Sequence, residues 1–145
     1  MTGKRVTRVA IDTSALLALA SPRDQYHSRA VNTARRFVAL GGRWVGSVLV
    51  LAELHGHMLQ RRGPTAARSI LRALRQDPAY EWQDVTGSLI DIATTAWLER
   101  FSDQHFSLTD AVTFALMKSE RIKVAFAFDQ AFVTAGYRLL DETGV

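Results

Sequence analysis

A short apolar run that ends abruptly in an acid constrains this chain more than any other feature. Val9-Ala10-Ile11 runs into Asp12, then Thr13-Ser14, and a second apolar run from Ala15 to Ala20 begins at once. Val6, Val9 and Ile11 suit a buried strand, although so short a run cannot be told from buried helix by pattern alone. The hydroxyl pair followed by Ala-Leu-Leu-Ala-Leu-Ala reads as a helix start. A strand that turns straight into a helix places Asp12 at its carboxyl end, the edge where open α/β sheets bind ligands. Asp is also a good helix cap, and for Asp12 taken alone that structural role is the simpler reading.

The remaining chain alternates in the same way. Ser21-Pro22-Arg23-Asp24 is a turn, and a helix is expected from about Gln25 to Leu40, with Ala30, Ala34, Phe37 and Val38 inward and Gly41-Gly42 at its end. Arg43–Gly46 reads as a second strand. Ser47 opens an apolar helix from Val48 to about Arg61, broken by Gly63-Pro64. The next helix, Thr65 to about Gln76, carries Ala67, Ile70, Leu71 and Leu74 on one stripe and Arg68, Arg72 and Arg75 on another. Asp77-Pro78 stops it. Tyr80–Val85 is a third strand. A helix follows from about Ser88 to Arg100, with Leu89, Ile92, Ala93, Ala96 and Trp97 inward, then another from Ser107 to about Glu120. Val124–Phe128 is a fourth strand that ends at Asp129, and a short helix precedes a last strand around Tyr137–Leu140. Strands alternating with helices predict an α/β fold with a mostly parallel central sheet flanked by helices. No repeat or linker divides the 145 residues, so one domain over 1–145 is expected.

Composition narrows the partners. A net charge of +4 leans weakly toward a polyanion such as nucleic acid. The absence of Cys removes disulfides, thiolate metal sites and Cys nucleophiles, and fits a reducing cytoplasm. Asp12 interrupts the apolar run behind the basic Met1–Arg5, so no signal peptide is expected, and no stretch is long and apolar enough for a membrane span.

Asp12, Glu53, Asp110 and Asp129 all stand at the edges of apolar segments. Asp12 and Asp129 each follow a predicted strand, and Glu53 lies in the first two turns of a helix that follows one; these three map to the carboxyl edge. Asp110 lies in the first turn of a helix whose placement the sequence leaves open. Ser107-x-x-Asp110 has the form of a capping box, and Asp129 can cap the helix after it. Glu53 has Leu49 and Val50 one turn before it and Leu51 and Leu54 beside it, which predicts a buried carboxylate in need of a cation. Carboxylates gathered without Cys, and with no His at ligand spacing, suit the hard ions Mg²⁺ or Mn²⁺. Such ions serve phosphoryl displacement, by activating water or by clamping the attacking and leaving oxygens.

Four stretches together resemble the motifs of PIN-domain ribonucleases, most closely the VapC-type toxins. They are Asp12-Thr13-Ser14-Ala15-Leu16, Ala52-Glu53-Leu54, Ser107-Leu108-Thr109-Asp110-Ala111 and Phe128-Asp129-Gln130-Ala131-Phe132. The resemblance implies a three-layer fold with strand order 3-2-1-4-5, Asp12 and Asp129 on adjacent strands at the switch point, and a helix that brings Asp110 to the other acids. It implies an RNA endonuclease that uses Mg²⁺ or Mn²⁺, with Asp12, Glu53, Asp110 and Asp129 as ligands and Thr13, Ser14 and Thr109 supporting them. It also implies a homodimer held by a small antitoxin whose basic residue enters the acidic pocket. Family members often carry Thr or Ser two residues before the last acid; Ala127 stands there in this chain.

Other features are weaker. His55 and His57 are two apart, hence on different sides of a helix, and read as surface or packing residues; His27 and His105 are isolated. Arg68, Arg72 and Arg75 form a stripe that can track RNA phosphates but equally suits a solvated face, as do Arg35-Arg36 and Arg61-Arg62. Trp44, Trp82 and Trp97 lie in apolar patterns. Asp103 and Asp91 are candidates for a fifth acid, Asp103 the better. Two other functions compete: a phosphatase-like phosphotransferase with Asp12 as nucleophile, against which Ser14 stands where a second Asp is common, and a non-catalytic RNA-binding module on the same fold.

Overall fold

The computed structural model describes residues 7–141. Val6 and the basic start Met1–Arg5 lie outside them. In chain order the elements are β1 (Arg8–Ile11), α1 (Thr13–Ala20), α2 (His27–Ala39), β2 (Arg43–Ser47), α3 (Val48–Gln76), β3 (Tyr80–Gln83), α4 (Gly87–Ala93), α5 (Leu108–Glu120), β4 (Val124–Phe126), α6 (Ala131–Thr134) and β5 (Arg138–Leu139). All four strand pairings are parallel, in the order β3-β2-β1-β4-β5 that the family resemblance implies.

Alternation along the strands divides the core into two layers. Val9, Ile11, Trp44 and Phe126 face one side, against α1, α2 and α3; Ala10, Val45 and Ala125 face the other, against α4, α5 and α6. The small side chains on that second face let α5 lie close, and every residue of α5 from Asp110 to Met117 is buried. The β1–β4 ladder continues beyond the strands, where the Asp12 N–H bonds the Phe126 carbonyl at 3.0 Å.

One ion pair sets the direction of α5. Arg8, at the start of β1, bonds Glu81 at 2.8 Å and Glu120, the last residue of α5, at 3.2 Å. The C-terminus of α5 therefore sits at the amino edge of the sheet. Its 13 residues are about 20 Å long, while the four residues of β1 cover only about 13 Å. The first turn of α5, with Asp110, accordingly emerges at the carboxyl edge.

Several local expectations shift. The helical path of α3 runs to Gln76, but Gly63, at φ 85° and ψ 176°, breaks it into two arms where Gly63-Pro64 predicts a break. Val38 and Ile92, expected inward, are 44% and 54% exposed. The helix expected over 88–100 changes its winding after Ala93 into a π-helical stretch, Thr94–Glu99, which still turns Trp97 into the core. β4 stops at Phe126, so Asp129 does not follow directly on the strand: a bend over 127–129 intervenes. β3 likewise stops at Gln83, and β5 covers only Arg138–Leu139.

Candidate active site

The carboxyl ends of β1 and β4 lie side by side at the point where the strand order reverses, the crevice in which open α/β sheets bind ligands. A cleft of about 340 Å³ opens there, lined by Asp12, Thr13, Ser14, Leu17, Glu53, His57, Ser107, Asp110 and Asp129. The four acids singled out in the sequence thus reach one cleft from four different segments.

Asp12 is the N-cap of α1 and is 4% exposed. Its Oδ2 accepts the Ser14 hydroxyl at 2.5 Å and the Ser14 N–H at 3.2 Å. The same hydroxyl accepts the Phe128 N–H at 3.0 Å, which ties the segment carrying Asp129 to the segment carrying Asp12. Burial pushes the Asp12 carboxyl up to about 6 against an ordinary 3.8; the Ser14 bonds pull it down, and the charges of Asp110 and Asp129 add to the rise.

Asp110 is both a cap and a member of the cleft. Its Oδ2 accepts the Ser107 N–H at 3.2 Å while Ser107 Oγ accepts the Asp110 N–H at 3.0 Å, a complete capping box with Asp in its last position. Burial raises its pKa, the Ser107 bonds oppose this, and the charges of Asp129 and Glu53 reinforce it. Both Asp12 and Asp110 spend Oδ2 on their own helices, so Oδ1 of each is not used in capping.

Asp129 is exposed, and its Oδ1 accepts the Ala131 N–H at 2.9 Å, the short-range cap anticipated for it. Glu53 differs from its expectation: it is half-buried at the mouth of the cleft. The apolar neighbours Val50, Leu51 and Leu54 turn inward, and Glu53 projects beside them rather than among them.

The supporting residues divide. Thr13 is buried, lines the cleft, and its Oγ1 has no hydrogen-bond partner among the described residues. Thr109 does not line the cleft; its carbonyl takes the Thr113 hydroxyl at 2.9 Å. Asp91 and Asp103 are exposed and stand outside the cleft, so neither supplies a fifth acid to it. Ala127 also lines a different pocket. Arg68, Arg72 and Arg75 are exposed but do not share one groove: Arg68 and Arg72 flank a hollow on the second arm of α3, and Arg75 faces His55 and Leu71 between the arms.

The model for the PIN domain matches residues 9–136. The chain belongs to the PIN-domain family. This PIN domain is 33% identical over 130 residues to the 23S rRNA-specific endonuclease VapC20 of Mycobacterium tuberculosis, spanning 89% of the chain and 95% of VapC20. Its fold matches the crystal structure of VapC20, a sarcin-ricin loop cleaving toxin, with a TM-score of 0.77, 32% identity, and coverage of 89% of this chain and 95% of that one. FitAcB from Neisseria gonorrhoeae matches with a TM-score of 0.66 at 13% identity, over 94% and 99% of the two chains, a likeness of fold.

One further side chain belongs to the PIN-domain cleft: His57, exposed as the sequence reading has it. His57 lines the cleft together with Glu53, and the two also share an adjoining hollow with Gly56 and Gln60. The sequence signal is the spacing of Glu53 and His57, four residues apart and hence on one helical face; the spacing of His55 and His57 carries no such information.

Proposed function

We propose that this PIN domain is a Mg²⁺- or Mn²⁺-dependent RNA endonuclease, the toxin of a toxin–antitoxin pair, acting as one domain over 1–145. The observation that carries the proposal is the convergence of Asp12, Glu53, Asp110 and Asp129 on one cleft, with burial and mutual repulsion raising the first and third. Four carboxylates repel a phosphodiester unless positive charge stands between them, so the cleft suits RNA only together with a cation.

The donor set fits a divalent metal. Among the described residues no three His, Cys, Asp or Glu side chains already form a metal cage. The chemistry is nevertheless that of a hard-ion site: carboxylate oxygens, among them the Oδ1 atoms of Asp12 and Asp110 that capping does not use, and Thr13 Oγ1, which has no partner among the described residues. Asp12, Glu53, Asp110 and Asp129 would hold the ion. Such a cation supplies charge against the phosphate and makes water more acidic. Ser14 holds the Asp12 carboxylate in one orientation, and the capping box does the same for Asp110. Asp129, on its exposed bend, completes the rim.

An RNA substrate of the ribosomal kind is supported by the name and identity of VapC20. A small antitoxin partner follows from the toxin reading, because a cell that makes such an enzyme must hold it in check. A homodimer in the cytoplasm completes the proposal. No helix among the described residues is long and apolar enough to cross a membrane.

The test is incubation of the purified protein with ribosomal RNA in Mn²⁺, then in EDTA, with the ends mapped. Discrete cuts that vanish in EDTA are expected. Intact RNA in Mn²⁺, from protein shown to be folded and free of any copurifying partner, would overturn the proposal.

A further inference from the structure

The polar side chains that line the acidic cleft are almost all oxygen-bearing: four carboxylates and the hydroxyls of Thr13, Ser14 and Ser107. The Ser14 hydroxyl is engaged with Asp12 and the Phe128 N–H, and Ser107 Oγ accepts the Asp110 N–H. Among the described residues lining the cleft, His57 alone carries a nitrogen donor, and it is exposed. It stands about one helical turn beyond Glu53 on the same face of α3. Glu53 and His57 also belong to the adjoining hollow, of about 250 Å³, which Ala52, Gly56 and Gln60 complete. Gly56 has no structural need to be glycine. Its backbone is not in the left-handed region, and a Cβ added to it would meet nothing within 4 Å. A glycine inside a helix weakens that helix relative to alanine. With packing and backbone conformation both set aside, the close approach of a ligand accounts for it.

An exposed histidine on a helix is, by itself, ordinary surface. Its place between the acidic cleft and an open hollow gives it another use. A phosphodiester strand that brings one phosphate to the four acids must carry its next phosphate past the rim of the cleft. A cation among the carboxylates offsets their repulsion where it sits, and the next phosphate needs a donor of its own. A neutral imidazole donates one N–H and a charged one donates two, so His57 serves in either state. Apart from that imidazole the hollow has no aromatic wall on which a base could stack, which favours the strand's backbone as its occupant. Side-chain donors on phosphates fix the register of a nucleic acid without reading its sequence. We propose that His57 donates a ring N–H to the RNA phosphate adjoining the scissile one, and that Gly56 lets the strand lie close against α3 at that point. This rests on the RNA-cleaving reading and adds to it the residue that positions the strand at the mouth of the cleft.

The test uses a fluorescent fragment of ribosomal RNA with wild type, His57→Leu and Gly56→Leu. Three quantities are measured: RNA affinity in calcium buffer, kcat and KM for cleavage in Mn²⁺, and Mn²⁺ affinity without RNA. Both positions are exposed, so both variants should melt no earlier than wild type. RNA affinity should fall about five- to thirtyfold in His57→Leu, as expected for one hydrogen bond to a charged oxygen at an open site. It should fall at least about fivefold in Gly56→Leu, whose side chain fills the hollow. KM should rise in step while kcat stays within about threefold, the pattern of lost uniform binding. His57→Gln keeps an N–H donor and should recover part of the loss. Mn²⁺ affinity should not change, because the contact is to RNA and not to the ion. Unchanged RNA affinity in either leucine variant, or a loss of Mn²⁺ affinity in step with RNA affinity, would overturn the proposal. A wild type that cuts RNA while both leucine variants keep its KM removes this contact and keeps the enzyme, whereas a wild type that cuts nothing removes both.

Discussion

The Ser14 hydroxyl donates a 2.5 Å hydrogen bond to Asp12 Oδ2. With its acceptance of the Phe128 N–H, this one side chain joins the ends of β1 and β4 and fixes the orientation of a buried carboxylate. Removing it leaves that carboxylate less compensated. Ser14→Ala should cost about 1–3 kcal/mol at pH 8 and raise the Asp12 pKa further. The cost should shrink at pH 5, where Asp12 is largely protonated. Thermal melts of both proteins at the two pH values measure this; equal melting temperatures at pH 8 would contradict it.

Asp12 itself makes the metal-free protein sensitive to pH. Its folded carboxyl sits at about 6 and its ordinary value is 3.8, so the folded state binds the proton more tightly than the unfolded chain does. Stability from this group is therefore greatest below about pH 4, falls as pH rises to about 6, and stays reduced above that. The gap corresponds to about 3 kcal/mol. Asp12→Asn keeps an oxygen for Ser14 and abolishes the charge, so in EDTA at pH 7 it should melt several degrees above wild type, at about 2–4 °C per kcal/mol. A variant that melts lower than wild type would show that the Asp12 charge stabilises the fold.

The arginine stripe offers a test of the RNA path. Arg75 faces the groove between the α3 arms, whose first arm also carries Glu53. If the RNA backbone passes there, Arg75→Ala should weaken binding to all sequences alike and reduce the log–log salt slope by about 1. Fluorescence titrations across a salt series decide this. An unchanged slope would leave Arg75 on a solvated face.

Much of this arrangement was legible in the sequence because each signal was local. The Val9-Ala10-Ile11-Asp12 edge, the Ser107–Asp110 capping box and the Gly63-Pro64 break all depend on residues within a few positions of each other, and each appears in the structure. What failed depended on distance or direction. Residue pattern left Asp110 unplaced, yet a crossover helix that must end at the amino edge has to begin at the carboxyl edge. The Arg8–Glu120 pair shows that end directly, but it joins residues 112 apart in the chain. Glu53 was expected to be buried because apolar neighbours surround it in sequence; on a helix those neighbours occupy adjacent sides, and Glu53 stays half-exposed. The stacking of Tyr26 on Phe128 leaves no local trace in the sequence, since only the fold brings the two rings to 4.6 Å.

Asp110 separates the catalytic account from a purely structural one, because it caps α5 and lines the cleft at once. The decisive measurement is the rate of RNA cleavage in Mn²⁺ by wild type and Asp110→Asn, with both shown to be folded by their melting curves. Asn keeps an acceptor for the Ser107 N–H and deletes the charge. The account predicts a melting temperature in EDTA equal to or above that of wild type and a cleavage rate lower by at least about a hundredfold. An Asp110→Asn protein that is destabilised by about 0.5–2 kcal/mol and still cuts RNA at the wild-type rate would contradict it.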